Sequence, residues 1–163
     1  VIRPVLRWPS AVLRTPAAPV EAVDDGVRAL WDDMVDTMEA MPGYGLAAPQ
    51  IGVGLRLAVV DCSEARGQAV RLANPVVVAA SAELFPWREA SPNLPGVAAL
   101  IERPARVTVR FLNRDGAGEE REFRDLWATS VQHQIDHLEG RMFWDRLGPV
   151  KRKMLLDKAR KGR

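Results

Sequence analysis

Proline placement sets the limits on what this chain can build. Four of its 12 prolines, Pro4, Pro9, Pro16 and Pro19, fall in the first 23 residues, and four more, Pro86, Pro92, Pro95 and Pro104, fall in 81–104. Each removes a backbone donor and clashes with a preceding helical turn. Both stretches are therefore expected to be extended. Helix is left to three windows. In the first, Val27, Leu30, Trp31, Met34 and Met38 recur at helical spacing, with Asp24 or Asp25 as cap and Pro42–Gly43 as stop. In the second, about 125–139, Trp127, Val131, Ile135 and Leu138 keep the period and Gly140 ends it. The third runs through roughly 150–161. Between them, 55–61, 70–78 (broken at Asn74–Pro75) and 107–112 read as strands. Asn113–Gly116 is a turn, and 120–126 returns as a hairpin partner. The expected class is α+β, with short antiparallel strands packed around a central helix and a further helix at the C-terminal end.

With 163 residues, 47% of them apolar, the chain suits one core, and residues 1–163 are expected to form a single domain. No run approaches the roughly 20 apolar residues of a membrane helix. The opening VIRPVLRWPS has no apolar h-region and reads as no signal peptide. The lack of an initiator Met reads as trimming. One cysteine, Cys62, cannot form an internal disulfide, and a cytoplasmic setting is expected. Residues 151–163 carry seven basic residues against Asp157, a balance of +6, which leaves 16 basic and 20 acidic residues in 1–150, or −4. Nucleic-acid-binding bodies spread Lys and Arg over a face, so a DNA-binding body is disfavoured. The basic tail reads as a solvated terminal helix.

The chemistry is expected on the second helical window. His133 and His137 are the chain's two histidines, and four residues apart they project from one helix face. The spacing suits a shared metal ion, with buried structural histidines as the alternative. In the zinc-hydrolase form H-E-x-x-H, the glutamate takes a proton from metal-bound water. Here that position is Gln134. An amide has nearly the same shape but cannot accept that proton.

Two segments carry a resemblance to peptide deformylase. Gly43-Tyr-Gly-Leu-Ala-Ala-Pro-Gln50 matches the family's G-x-G-x-A-A-P-Q, and Gln132–Gly140 matches Q-H-E-x-D-H-L-x-G except at Gln134. Pro4-Val-Leu with Val12-Leu-Arg, Phe143-Trp-Asp-Arg146 and the basic terminal helix fit too, so the likeness spans the chain. It implies the deformylase fold, with its central helix bearing both histidines. It also implies metal-dependent hydrolysis, by iron or zinc, of the formyl group of formyl-methionyl peptides. Gly43, Gly45 and Leu46 would then line the peptide site, and Gln50 would help hold the formyl oxygen. Asp136 would support the helix. The partners implied are peptide N-termini and, through 151–163, the ribosome, with no membrane.

The second motif departs from E-G-C-L-S-x-P-G. It reads Glu89-Ala-Ser-Pro-Asn-Leu-Pro-Gly96. The implied metal set is thus Ser91, His133 and His137, with a neutral hydroxyl where the family has a thiolate, which is a much weaker ligand. Pro92 stands where a backbone N–H would stabilise the oxyanion, and Pro has none. Ala98 replaces the substrate-side arginine. Losing one oxyanion donor costs about 10²–10³ in rate, and losing a general base costs about 10²–10⁴. Deformylation is expected to be severely impaired or lost, with Gln134 and Gln50 in the catalytic positions and Glu89 or Asn93 near the vacated ligand position. Two alternatives stand: a metallohydrolase repurposed to another N-formyl or N-acyl substrate, and a non-catalytic module binding peptide N-termini or the ribosome.

Overall fold

The computed structural model describes residues 1–162; Arg163, the last residue of the basic tail, lies outside it. Helix α1 (Ala11–Arg14) is one short turn within the Pro-rich opening, and α2 (Asp25–Ala40) is the first long helix. Strand β1 (Gly45–Ala47) leads into a 3₁₀ turn, Ala48–Ile51. Then come β2 (Leu57–Val60), β3 (Val70–Ala80), β4 (Leu84–Glu89), β5 (Ala99–Pro104), β6 (Arg106–Leu112) and β7 (Gly118–Arg124). Helix α3 (Leu126–Leu138), a second 3₁₀ turn (Phe143–Arg146) and α4 (Pro149–Lys161) complete the chain.

Five strands form an antiparallel sheet in the order β1-β2-β3-β6-β7, and β4 and β5 form a separate hairpin. The expected α+β class and the three helical windows are found. Two expectations need correcting. The opening is not wholly extended, because α1 interrupts it. And the strand expected over 70–78 is not broken at Asn74–Pro75: β3 runs from Val70 to Ala80 through a register shift. Asn74 makes this possible. It sits at φ +51°, and its side-chain amide donates to the Val20 carbonyl and accepts from the Val20 N–H, both at 2.9 Å. An Asn tolerates the left-handed conformation, and the irregularity takes up a Pro that a regular ladder rejects.

Strand β2 lies between two helices. Leu57 and Val59 face a cluster with Trp31, Met34 and Met38 of α2, while Ala58 and Val60 face one with Ala128, Val131, Ile135 and Leu138 of α3. Alternation along the strand therefore sends successive residues to opposite cores. The Asp24 side chain accepts from the Val27 N–H at 2.8 Å and caps α2 as its sequence suggests. A third cluster joins Leu13, Leu94, Ile101, Phe143 and Trp144 to Leu155 and Ala159 of α4. The C-terminal helix is therefore docked along one side, with Lys151, Lys153, Lys158 and Lys161 exposed. Helix α3 is covered almost all round. Its polar residues are consequently buried polar residues, and each must be satisfied by the protein or by something it binds. No helix among the described residues is long and apolar enough to cross a membrane.

Candidate active site

Four pieces of chain meet at one cavity of about 390 Å³. Met41–Gly45 form one side, and Gln50 projects from the 3₁₀ turn. Trp87–Pro92, the end of β4 and the loop beyond, form the opposite side. Leu126, Thr129, Ser130, His133 and Gln134 of α3 form the floor.

The first segment approaches α3 closely at Gly45. A Cβ there would lie 2.6 Å from Gln134 Nε2 and 2.7 Å from Ser130 Oγ, well inside van der Waals contact. The Ser130 hydroxyl donates to the Tyr44 carbonyl at 2.9 Å and ties the segment down. Gln50 Oε1 accepts from the Ala47 N–H at 2.9 Å, so its amide nitrogen points the other way, toward the loop after β4.

The histidines face each other, His137 Nε2 lying 3.1 Å from His133 Nε2. On its other side, His133 Nδ1 donates to Glu89 Oε1 at 2.7 Å. The Phe143 ring stacks near it, with centroids 6.0 Å apart. Burial pushes the Glu89 carboxyl up, but the bonds from His133 and Arg103 outweigh it and hold it below its usual range. Burial, with the neighbouring His133, pushes His137 well below the ordinary histidine value, so it is neutral near pH 7. His137 Nδ1 has no partner and is shielded from water.

Arg103 is the hub beneath the site. Its guanidinium donates to both oxygens of Glu89, at 2.6 and 2.9 Å, and to Asp136 Oδ2 at 2.9 Å. Asp136 also receives two bonds of 2.8 Å from Arg146. Burial raises the Asp136 carboxyl, and Arg146 and Arg103 more than reverse that. Asp136 thus supports the helix from behind. Nothing in the sequence singled out Arg103, and Arg146 stood out only as the end of the Phe143–Arg146 match. The available signal is that each of two buried carboxylates requires a cation.

Ser91 and Asn93 form a closed net. The Ser91 hydroxyl donates to Asn93 Oδ1 at 3.0 Å, and the Asn93 N–H donates back to Ser91 Oγ at 3.3 Å. Gln50 Nε2 donates to the same Asn93 oxygen at 2.8 Å, and Asn93 Nδ2 donates to the Leu6 carbonyl at 2.6 Å. Asn93 therefore occupies both Ser91 and the free end of Gln50. Of the residues singled out from sequence, Gly43, Gly45, Gln50, Ser91, Pro92, His133 and Gln134 all line the cavity. His137 adjoins it through His133. Leu46 differs: its side chain is fully buried in the core cluster beside α2, leaving only its backbone for a ligand. Ala98 is not among the lining residues. Glu89 lies behind His133, and Asn93 lies beside Ser91 rather than at the histidine nitrogens.

The family pattern described as polypeptide deformylase matches residues 2–153. A peptide deformylase from Azotobacter vinelandii is 43% identical over 157 residues, covering 96% of this chain and 94% of that protein. One from Phenylobacterium zucineum is 42% identical over 162 residues, covering 98% and 96%. The chain belongs to the peptide deformylase family. Among solved structures, the deformylase from Legionella pneumophila superposes with TM-score 0.92 at 39% identity, covering 99% of this chain and 95% of that one. The Ehrlichia chaffeensis deformylase in complex with actinonin gives 0.91 at 32% identity, covering 99% and 97%.

Deformylases are metal-dependent hydrolases, and the donor set here can be tested against that requirement. The two Nε2 atoms, 3.1 Å apart, are close enough for both to reach one ion at about 2.0–2.1 Å. Glu89 behind His133 is the kind of partner that orients a metal-binding imidazole. Ser91 does not complete the set. It is neutral, its proton is given to Asn93, and its oxygen already accepts from a backbone N–H. Among the described residues, no group of three or more His, Cys, Asp or Glu is placed to hold a metal ion. The residues present are one anionic ligand short of the deformylase metal.

Proposed function

We propose that residues 1–163 act as one deformylase-type domain that still receives peptide N-termini but hydrolyses the formyl group of formyl-methionyl peptides severely slowly or not at all. One observation carries this reading: the hydroxyl in the third-ligand position is engaged by Asn93 and offers a metal no negative charge, with one lone pair of its oxygen already taken by a backbone N–H. Three further features point the same way. Gln134 cannot accept a proton as a carboxylate does, Pro92 brings no N–H to the oxyanion, and the Gln50 amide is turned into Asn93. The assigned roles are therefore vestigial: His133 and His137 as the remaining imidazole pair, Ser91 as the vacated ligand, and Gln50 and Gln134 as the former polar machinery. Gly43 and Gly45, with the backbone at Leu46 and Pro92, shape the cleft. A cytoplasmic setting and ribosome contact through the exposed lysines of α4 complete the reading.

Formate release from a formyl-methionyl peptide tests it. After equilibration with Zn²⁺ or Fe²⁺, the wild-type protein is expected to run at no more than about 1% of the rate of the Ser91→Cys/Pro92→Leu/Gln134→Glu variant, given about 10²–10⁴ for a lost base or oxyanion donor. Gln134→Glu alone is expected not to restore full activity. Wild-type turnover within tenfold of the triple variant overturns the reading.

A further inference from the structure

In the Met41–Gly45 wall of the cavity, the backbone polar groups of Gly43 and Tyr44 can be accounted for one by one. The Gly43 N–H donates to the Met38 carbonyl at 2.9 Å. The Tyr44 carbonyl accepts from the Asp61 N–H at 2.8 Å and from the Ser130 hydroxyl at 2.9 Å. The Gly43 carbonyl accepts from Arg66 Nη2 at 2.6 Å. One group is left over: among the described residues, nothing accepts from the Tyr44 N–H.

Arg66 reaches this wall from outside the cavity, whose lining includes Gly43 and Tyr44 but not Arg66. Besides the Gly43 carbonyl, its guanidinium donates to the Asp61 carbonyl at 2.8 Å and to both oxygens of Glu39, at the end of α2, at 3.0 and 3.1 Å. The loop that carries it is closed by the buried Asp61 carboxylate, which accepts from the Ser63 and Gln68 N–H groups, each at 2.9 Å. Arg66 itself stands at φ +58°, a conformation that a residue with a side chain keeps only where its surroundings over-determine it. The planar fork suits the task. One edge grips the carboxylate while the remaining donors hold two carbonyls in fixed directions, a geometry that a lysine ammonium does not impose.

The Gly43–Tyr44 peptide bond is trans, so its carbonyl and its N–H point opposite ways. Pinning the carbonyl on the Arg66 side turns the N–H toward the cavity side. The geometry points to Arg66 as a positioning residue for the cleft: it fixes the plane of the Gly43–Tyr44 peptide and so holds the Tyr44 N–H for a carbonyl oxygen of an incoming peptide. The inference rests on the reading that the cleft still receives peptide N-termini. A donor held in place beforehand does not have to be ordered when the ligand arrives.

Amide NMR on the isotope-labelled whole protein, titrated with formyl-methionyl-alanyl-serine, tests it. In the wild type, the backbone signals of Tyr44 on the wall and Thr129 on the floor are both expected to move as peptide is added. Arg66→Gln is expected to bind at least about threefold more weakly, the worth of one misdirected hydrogen bond. At saturation its Tyr44 signal is expected to move less than about half as far, while Thr129 moves as before. Arg14→Gln is the control for lost stability. It removes an arginine that likewise bonds a carboxylate and a carbonyl, those of Asp145 and Gly140, away from the cavity. It is expected to lower Tm and keep the wild-type affinity and both signal movements. Binding by Arg66→Gln within about threefold of wild type, or a full Tyr44 movement in that variant, overturns the inference. Equal weakening by Arg14→Gln does so too, because the effect is then one of stability. In the wild type alone, movement at Thr129 with Tyr44 unmoved overturns the inference and leaves peptide binding standing. No movement at any lining amide overturns the reading that the cleft receives peptides, and the inference with it.

Discussion

At the scale of single residues, position 45 is tightly hemmed in by side chains. Its missing Cβ is the space into which Gln134 and Ser130 project. Gly45→Ala is expected to destabilise the protein by about 1–3 kcal/mol, the usual cost of overpacking, in a denaturant unfolding series. Cys62 offers a contrasting test. Burial pushes its thiol up to about 12, so it is almost wholly protonated at neutral pH. Alkylation by iodoacetamide at pH 8 is expected to be at least tenfold slower than for a free cysteine peptide, and rapid labelling would contradict its placement. Asn93 shows what a motif cannot reveal. The register of Glu89-Ala-Ser-Pro-Asn-Leu-Pro-Gly96 sets Ser91 against the cysteine of the motif it resembles, but only folding shows that Asn93 reaches Ser91, Gln50 and Leu6 together. Those partners lie two, 43 and 87 positions away.

Among the elements, the hairpin β4–β5 and helix α3 are joined through one side chain. Arg103 on β5 binds Glu89 at the end of β4 and Asp136 on α3, and its side chain is 0% exposed. Removing one partner of such a group strands buried charge. Arg103→Leu is therefore expected to cost about 3–5 kcal/mol, read as a loss of unfolding midpoint. The helices were the legible elements, because α2 and α3 carry apolar residues at helical period and have recognisable stops. Strand β3 was less so. A Pro in a strand argues for a break, and the local pattern holds no sign that Asn74 will bridge to Val20, 54 residues earlier. The hairpin β4–β5 hid for the same reason: its prolines promise extension but not pairing, and pairing is a property of two segments.

Taken as a whole, the molecule closes its ends together. Arg14 of α1 pairs with Asp145 of the second 3₁₀ turn, and Asp145 also accepts from the Met142 N–H at 2.9 Å. At Gly140, φ +77°, a Cβ would lie 2.6 Å from the Arg14 carbonyl, so only glycine lets these segments meet. Burial raises the Asp145 carboxyl, but Arg14 and the Met142 N–H outweigh it and hold it below the usual value. A depressed folded-state value stabilises above the unfolded value of about 3.9 and is lost as pH falls through the folded one. Tm measured from pH 5 down to pH 2 is therefore expected to fall less steeply for Asp145→Asn. The part at stake is about 1 kcal/mol, since Arg14 is partly solvated. The overall architecture and the meeting of the two histidines on one face of α3 could be read from the chain. The hydrogen-bonding state of the cavity could not, since it depends on which atoms face each other and not on which residues are present. The Arg103 hub carries a lasting consequence. The carboxylates that would look like catalytic relics are also the struts that keep a β-hairpin and a helix in register. Selection for a well-folded chain alone is enough to preserve them, and an intact framework of this kind says nothing about turnover.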